Sequence, residues 1–255
     1  MHVRGLDAST NNNIEEVKKG PFTIIERKQC KSVNLRNAMQ MYFFNAMGGR
    51  QRQVVANASN GIALQNGAMQ AIIGDVEATT GLKGVGDAIG KMFRGSVTNE
   101  ATVNPEYIGK GYVITEPTYK FLIPFDIKDF GGRAVLEDGY FYCAECCLNR
   151  KVATRKSFSG AVAGNEGLFN MMLEGNEGVF IVESDTAPSD LAYIYLENDV
   201  LKIDGSMAVL WSGSLHMTEE RSSKSLIGST MTGDGLLNVF RGTGLVVYKA
   251  LVKEG

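Results

Sequence analysis

The chain has 255 residues, with 26 lysines and arginines against 28 aspartates and glutamates, a formal charge of −2 and a pI near 5.8. That balance supplies no overall positive field to hold a phosphate backbone, so general nucleic-acid affinity is not expected. Thirty glycines against five prolines, with 9% aromatic residues, point to short strands joined by tight turns and so to a mainly β fold.

Residues 1–20 are polar, contain Asn11-Asn12-Asn13 and end at Gly20-Pro21, which predicts a loosely held arm. The start lacks the apolar core of a signal peptide. The remainder, 21–255, is long enough to bury a continuous core and reads as a single composite β domain. Phe22 to Glu26 predicts a strand. Asn34 is placed to cap a helix running to Met47, with Leu35, Ala38, Met39, Tyr42, Phe43 and Ala46 on one stripe and Gly48-Gly49 ending it. Strands are predicted again from Gln53 to Ala56 and Gly61 to Gln65, with Asn66-Gly67 as a hairpin turn into a strand from Ala68 to Ile73. The stretch from Gly81 to Gly95 spaces Ile89, Met92 and Phe93 at helical intervals and predicts a glycine-hinged accessory helix. Its Gly84 to Lys91 portion imitates a phosphate-binding loop but fails the spacing. Five residues separate Gly84 from Gly90, where such a loop has four, and Met92 stands where a magnesium-holding Ser or Thr belongs.

One phrase recurs. Gly109-Lys110-Gly111, Gly175-Asn176-Glu177-Gly178 and Gly242-Thr243-Gly244 each open an apolar run, and Gly111, Gly178 and Gly244 stand 67 and 66 residues apart. A second marker keeps step upstream as Asn66-Gly67, Asp138-Gly139 and Asp204-Gly205. Two phrases in register predict three homologous antiparallel units, about 53–127, 128–193 and 194–255. In the second and third the repeated glycines are expected to turn hairpins, because glycine takes positive φ without steric cost.

Residues capable of chemistry are few. Cys143-Ala144-Glu145-Cys146-Cys147 contains a CxxC spacing that could chelate a metal or run redox chemistry, but no second cysteine pair or histidine cluster completes a tetrahedral site. With Cys30 remote, four cysteines do not make a secreted disulfide framework, and a reducing cytoplasm is the expected compartment. His2 lies in the arm, so any histidine-dependent catalysis would rest on His216, which has no companion nearby in sequence. Glu166, Glu174, Glu177 and Asp234 flank turn glycines, where acids also serve simply to solvate turns. Gly49-Arg50-Gln51-Arg52 and Arg221-Ser222-Ser223-Lys224 are too short to argue for RNA. Tyr112, Tyr119, Tyr140 and Tyr142 could line a pocket between units, although buried tyrosine is commonly a core residue. No catalytic, cofactor-binding or metal-ligating residue is assigned.

Asn66-Gly67-Ala68-Met69, Gly109-Lys110-Gly111 running to Pro117-Thr118-Tyr119 and Ile123-Pro124-Phe125-Asp126, and the strings from Gly164 and Gly233 resemble the altered-inheritance-of-mitochondria protein twenty-four family over about residues 60–251. The resemblance implies a β fold of the tryptophan RNA-binding attenuation protein-like superfamily, with sheets of successive repeats packed in pseudo-threefold fashion. Its mitochondrial members are linked to inner-membrane organisation, which implies a scaffold or assembly role; this chain shows no transit peptide. The expectation is a non-enzymatic scaffold or binding protein, homo-oligomeric, with an unidentified protein partner, no nucleic acid and no transmembrane segment. The alternatives are a small-molecule binding protein with a pocket between repeats, and a metal- or carboxylate-dependent hydrolase using His216 or the clustered cysteines.

Overall fold

The computed structural model describes residues 5–31, 34–79, 104–154, 169–204, 207–221 and 236–250. Their strands are β1 (Ile14–Lys19), β2 (Phe22–Arg27), β3 (Gln51–Asn57), β4 (Ile62–Leu64), β5 (Met69–Thr79), β6 (Glu106–Thr115), β7 (Phe121–Asp126) and β8 (Arg133–Leu136). The second half adds β9 (Phe141–Glu145), β10 (Asn149–Thr154), β11 (Phe169–Glu174), β12 (Val179–Ser184), β13 (Leu191–Asp204), β14 (Ala208–Ser212), β15 (His216–Arg221) and β16 (Leu236–Lys249). One helix, α1 (Leu35–Ala46), joins β2 to β3. The mainly β expectation holds.

The strands form two antiparallel sheets. The first has nine strands, ordered β1-β2-β3-β6-β4-β9-β12-β7 with β5 on the free side of β6; the second has seven, ordered β10-β11-β8-β14-β16-β13 with β15 beside β16. Three apolar clusters organise them. Phe22, Val54, Ile62, Leu64, Tyr107 and Ile181 gather within the first sheet, and Trp211, Phe240, Val246 and Leu196 within the second. The third cluster draws on both sheets and includes Phe125, Phe180, Leu136, Leu173 and Val247. Strand β12 shows why its sequence is apolar without alternation: Val179 and Ile181 enter the first cluster while Phe180 and Val182 enter the shared one. Phe180 is fully buried with its ring stacked 5.7 Å from Phe125, a burial that stabilises by about 2–3 kcal/mol.

The repeated glycines do not turn hairpins. β6 and β16 run straight through Gly111 and Gly244. β11 and β12, flanking Gly175 to Gly178, lie in different sheets and do not pair with each other. Glycine is required at these places by close approach. A Cβ on Gly111 would strike the Ile73 carbonyl oxygen, and one on Gly178 would stand 2.9 Å from both Cys147 Sγ and Leu148 Cγ. Asn66-Gly67 is likewise no hairpin turn, because β4 and β5 each pair with β6 rather than with each other.

The arm expected over residues 1–20 also needs correction. Ile14 to Lys19 pair with Phe22 to Arg27 in full register, Ile14 is buried, and Asn13 and Gln29 exchange two hydrogen bonds of 2.9 and 3.0 Å. The strand was hidden because an edge strand with one buried side chain reads as a polar segment. The glycine-hinged helix predicted over 81–95 lies outside the described residues.

The close-approach account predicts that Gly111→Ala costs about 3 kcal/mol, because backbone must move. Gly67→Ala should cost only about 1 kcal/mol, since Gly67 has φ +78° but open space around the added methyl. Urea unfolding of the two variants checks the ranking; equal losses would refute it.

Candidate functional site

The clustered cysteines face three different surroundings. Cys143, on β9, is wholly buried in the first sheet's cluster, and that burial holds its thiol well above the usual range. Cys146, in the turn after β9, packs against Gly61; burial, then the Glu106 carboxylate, push its thiol up to about 11 despite the opposing pull of Arg150. Cys147 is exposed, lies 3.4 Å from the Glu177 carbonyl oxygen, and is also shifted upward by desolvation. Nucleophilic cysteines need the opposite, a thiolate stabilised near neutrality.

The other candidates are not brought together. His216 opens β15 on the surface opposite Arg241. Glu174 pairs with Lys151 at 2.5 Å and Arg133 at 3.7 Å, and these charges hold its carboxyl below the usual value. Glu177 meets Lys128 at 3.8 Å. Glu166, Asp234 and Ser222 to Lys224 lie outside the described residues, as does the loop that imitates a phosphate site. Among the described residues no three His, Cys, Asp or Glu side chains gather as a metal site would require.

The four tyrosines occupy four environments. Tyr112 is exposed on β6, and Tyr119 stands edge-on to Phe44 at 4.9 Å. Tyr140 lies under the Lys249 ammonium at 5.7 Å. Tyr142 is buried in the first sheet, its hydroxyl donating to the Glu116 carbonyl at 3.2 Å, and desolvation drives its acidity strongly down. Of the basic phrase, Arg52 is buried and Arg50 pairs with Glu15 at 2.7 Å and Glu26 at 3.1 Å.

The surface that stands out is α1. Its start is capped as the sequence predicts, Asn34 Oδ1 accepting from the Arg36 and Asn37 amides at 3.0 and 3.4 Å, and it stops at Gly48 in the left-handed region. Ala38, Met41, Phe44 and Asn45 face the body, and Asn45 exchanges bonds of 3.0 and 2.9 Å with the Cys30 backbone. No residue of the helix is buried. Most of the predicted apolar stripe points outward, with Leu35 80%, Tyr42 69% and Met39 and Phe43 each 60% exposed, and Met47 extends it at 81%. Periodicity located the stripe; nothing in periodicity says what it faces.

A family model described as Mitochondrial biogenesis AIM24 matches residues 45–251. The chain belongs to this family. Strands β1 and β2 and most of α1 precede the matched segment. An uncharacterized protein of Streptococcus pyogenes serotype M6 is 25% identical over 234 residues, covering 89% of this chain and 91% of that one. An X-ray crystal structure of a Streptococcus pyogenes protein superposes with a TM-score of 0.58 at 23% identity, over 80% of this chain and 89% of that one, a likeness of fold.

The raised Cys146 thiol carries a stability consequence. Folded protein keeps this proton above pH 9 while unfolded protein releases it, so stability falls as pH rises from about 9 to 11. Thermal melts across that range should show a shallower decline for Cys146→Ala than for the unaltered protein. Parallel slopes would contradict the assignment.

Proposed function

We propose that the protein is a non-enzymatic scaffold or binding protein of the cytoplasm, built from three homologous β units and self-assembling through open strand edges. The observation that carries this reading is the length of those edges. β13 has 14 residues and pairs with β16 alone, and β5 has 11 and pairs with β6 alone among the described residues. An unpaired edge of that length offers a row of backbone donors and acceptors to another chain. Both edges also expose apolar side chains, Tyr193, Tyr195 and Val200 on β13 and Met69 and Ile72 on β5.

The three-unit origin is supported by a recurring register. Two residues after each marker glycine the same pairing returns: Val113 with Ile72, Phe180 with Ala144, and Val246 with Trp211. Before the glycine, each chain segment pairs with the strand that precedes it in the same unit: β6 with β5, β11 with β10, β16 with β15. The middle unit differs in dividing its two pairings between the sheets. A binding role without catalysis fits the alkaline thiols, the separated tyrosines and the carboxylates already held by lysine or arginine. Among the described residues no helix is long and apolar enough to cross a membrane.

Size-exclusion chromatography with light scattering should give a mass of at least two chains at micromolar concentration. Tyr195→Lys combined with Val200→Lys should weaken edge-mediated assembly about tenfold, equivalent to about 1.4 kcal/mol. A strictly monomeric mass at high concentration would remove the self-assembly claim.

A further inference from the structure

We infer that the outward face of α1 is a dimer interface on which a second copy of this chain seats its own α1. The inference rests on the self-assembly reading and assigns it a second, separate surface.

The first observation is topological. β2 and β3 are directly paired, Arg27 opposite Gln51, so a turn of two to five residues would suffice to connect them. The chain instead runs from Lys28 to Arg50 through a capped helix of 12 residues that buries none of them. Pairing of β2 with β3 therefore does not itself require the helix. Among the described residues the outward stripe stays exposed, so burial within the domain does not account for its apolar character.

The second is area. Leu35, Met39, Tyr42, Phe43 and Met47, with neighbouring Tyr119 at 50% exposure, form one patch on and beside the helix. Its exposed surface is about 700 Å², above the largest apolar patch of a typical monomer and close to the roughly 800 Å² that each partner contributes to a standard interface.

The third is chemistry. Residues 35–46 read LRNAMQMYFFNA, with two Met, a Tyr, two Phe and an Arg, and no Lys, Asp or Glu. That is the composition of an interface core, where aromatic residues, Met and Arg are enriched and Lys, Glu and Asp depleted. A twofold arrangement lays like on like, and this face carries no carboxylate to repel its copy. A helix made to lie in an anionic membrane surface would line its polar side with Lys and Arg. Here that side is Arg36, Asn37 and Gln40, and the nearby Lys28 and Arg50 are already engaged by Glu15.

The test compares unaltered protein with Met39→Glu/Phe43→Glu and, separately, Tyr42→Glu. Since none of these side chains is buried, both variants should keep the far-ultraviolet dichroism of the parent and unfold cooperatively. The expected result by light scattering is a halved mass, with a dissociation constant raised at least tenfold. Unaltered mass and affinity in both variants would overturn the α1 inference while leaving edge-mediated assembly standing; loss of assembly only in Tyr195→Lys/Val200→Lys would do the same. Halving by the α1 variants with no effect of the edge variant would keep this inference and sink the edge reading. An unaltered protein that is monomeric yet sediments with phosphatidylglycerol vesicles, and ceases to with Met39→Glu/Phe43→Glu, would give the face to a lipid surface and overturn the dimer.

Discussion

The fold depends on backbone passing within contact distance of its neighbours at a few glycines. At Gly244 an added methyl would meet Ser212 Cβ at 2.7 Å, and this intimacy lets β16 change partners without interrupting its own strand. Before the glycine β16 holds β15; after it, β14. The strand on its other side bends in step. β13 loses register between Leu196 and Asp199, with Asn198 at φ +54° and its amide bonded to the Thr243 hydroxyl at 2.9 Å. Ser214 Oγ donates to the Thr243 carbonyl at 2.8 Å, and Ser212 Oγ accepts from the Leu245 amide at 3.0 Å, so polar backbone exposed by the change of partner is satisfied locally. A side chain at the glycine would force these strands apart and leave those groups orphaned, which is why the cost is larger than a methyl's volume suggests.

A second constraint attaches the N-terminal strands to the part of the chain that carries the family's features. Arg52, on β3, is buried, and an unpaired buried charge costs several kcal/mol. Its Nε reaches Glu26 at 2.6 Å, a second nitrogen meets the carbonyls of Arg50 and Tyr119 at 3.3 Å, and its guanidinium lies 4.2 Å from the Phe121 ring centre. The charge thus ties β2, β3 and the approach to β7 together. Beside it Gln53 accepts from Arg27 at 2.6 Å and donates to Gln70 and the Thr115 carbonyl, each at 2.9 Å. Peeling β2 away would strip partners from both residues at once. α1, hung between β2 and β3, therefore stands on a rigid base although it contributes no buried residue of its own.

What could be read from the sequence follows from which signals are local. The helix was legible because its cap, its period and its glycine stop all lie within Asn34 to Gly49, and the strands at Phe22 and Gln53 because their apolar residues cluster. The recurrence of Gly111, Gly178 and Gly244 was legible too, but its meaning was not. Glycine serves tight turns and close backbone approach equally, and only the partner strand, distant in sequence, separates the two uses. β1 was missed for the same reason: IEEVKK earns its place through pairing with β2, not through its own apolar content. Asn66-Gly67 has the local signature of a hairpin, yet β6 takes both flanking strands as partners.

Stability and recognition are housed in different parts of this chain. The three clusters bury the aromatic and aliphatic residues of the strands, whereas α1 leaves its apolar stripe exposed among the described residues. Exposed apolar surface of that extent invites nonspecific association, and a folded domain keeps it only where something specific covers it. The residues least needed for the fold are thus the most informative about use. The cysteine cluster divides in the same way: Cys143 packs into the first sheet's apolar cluster, while Cys146 is only half-buried and Cys147 is exposed.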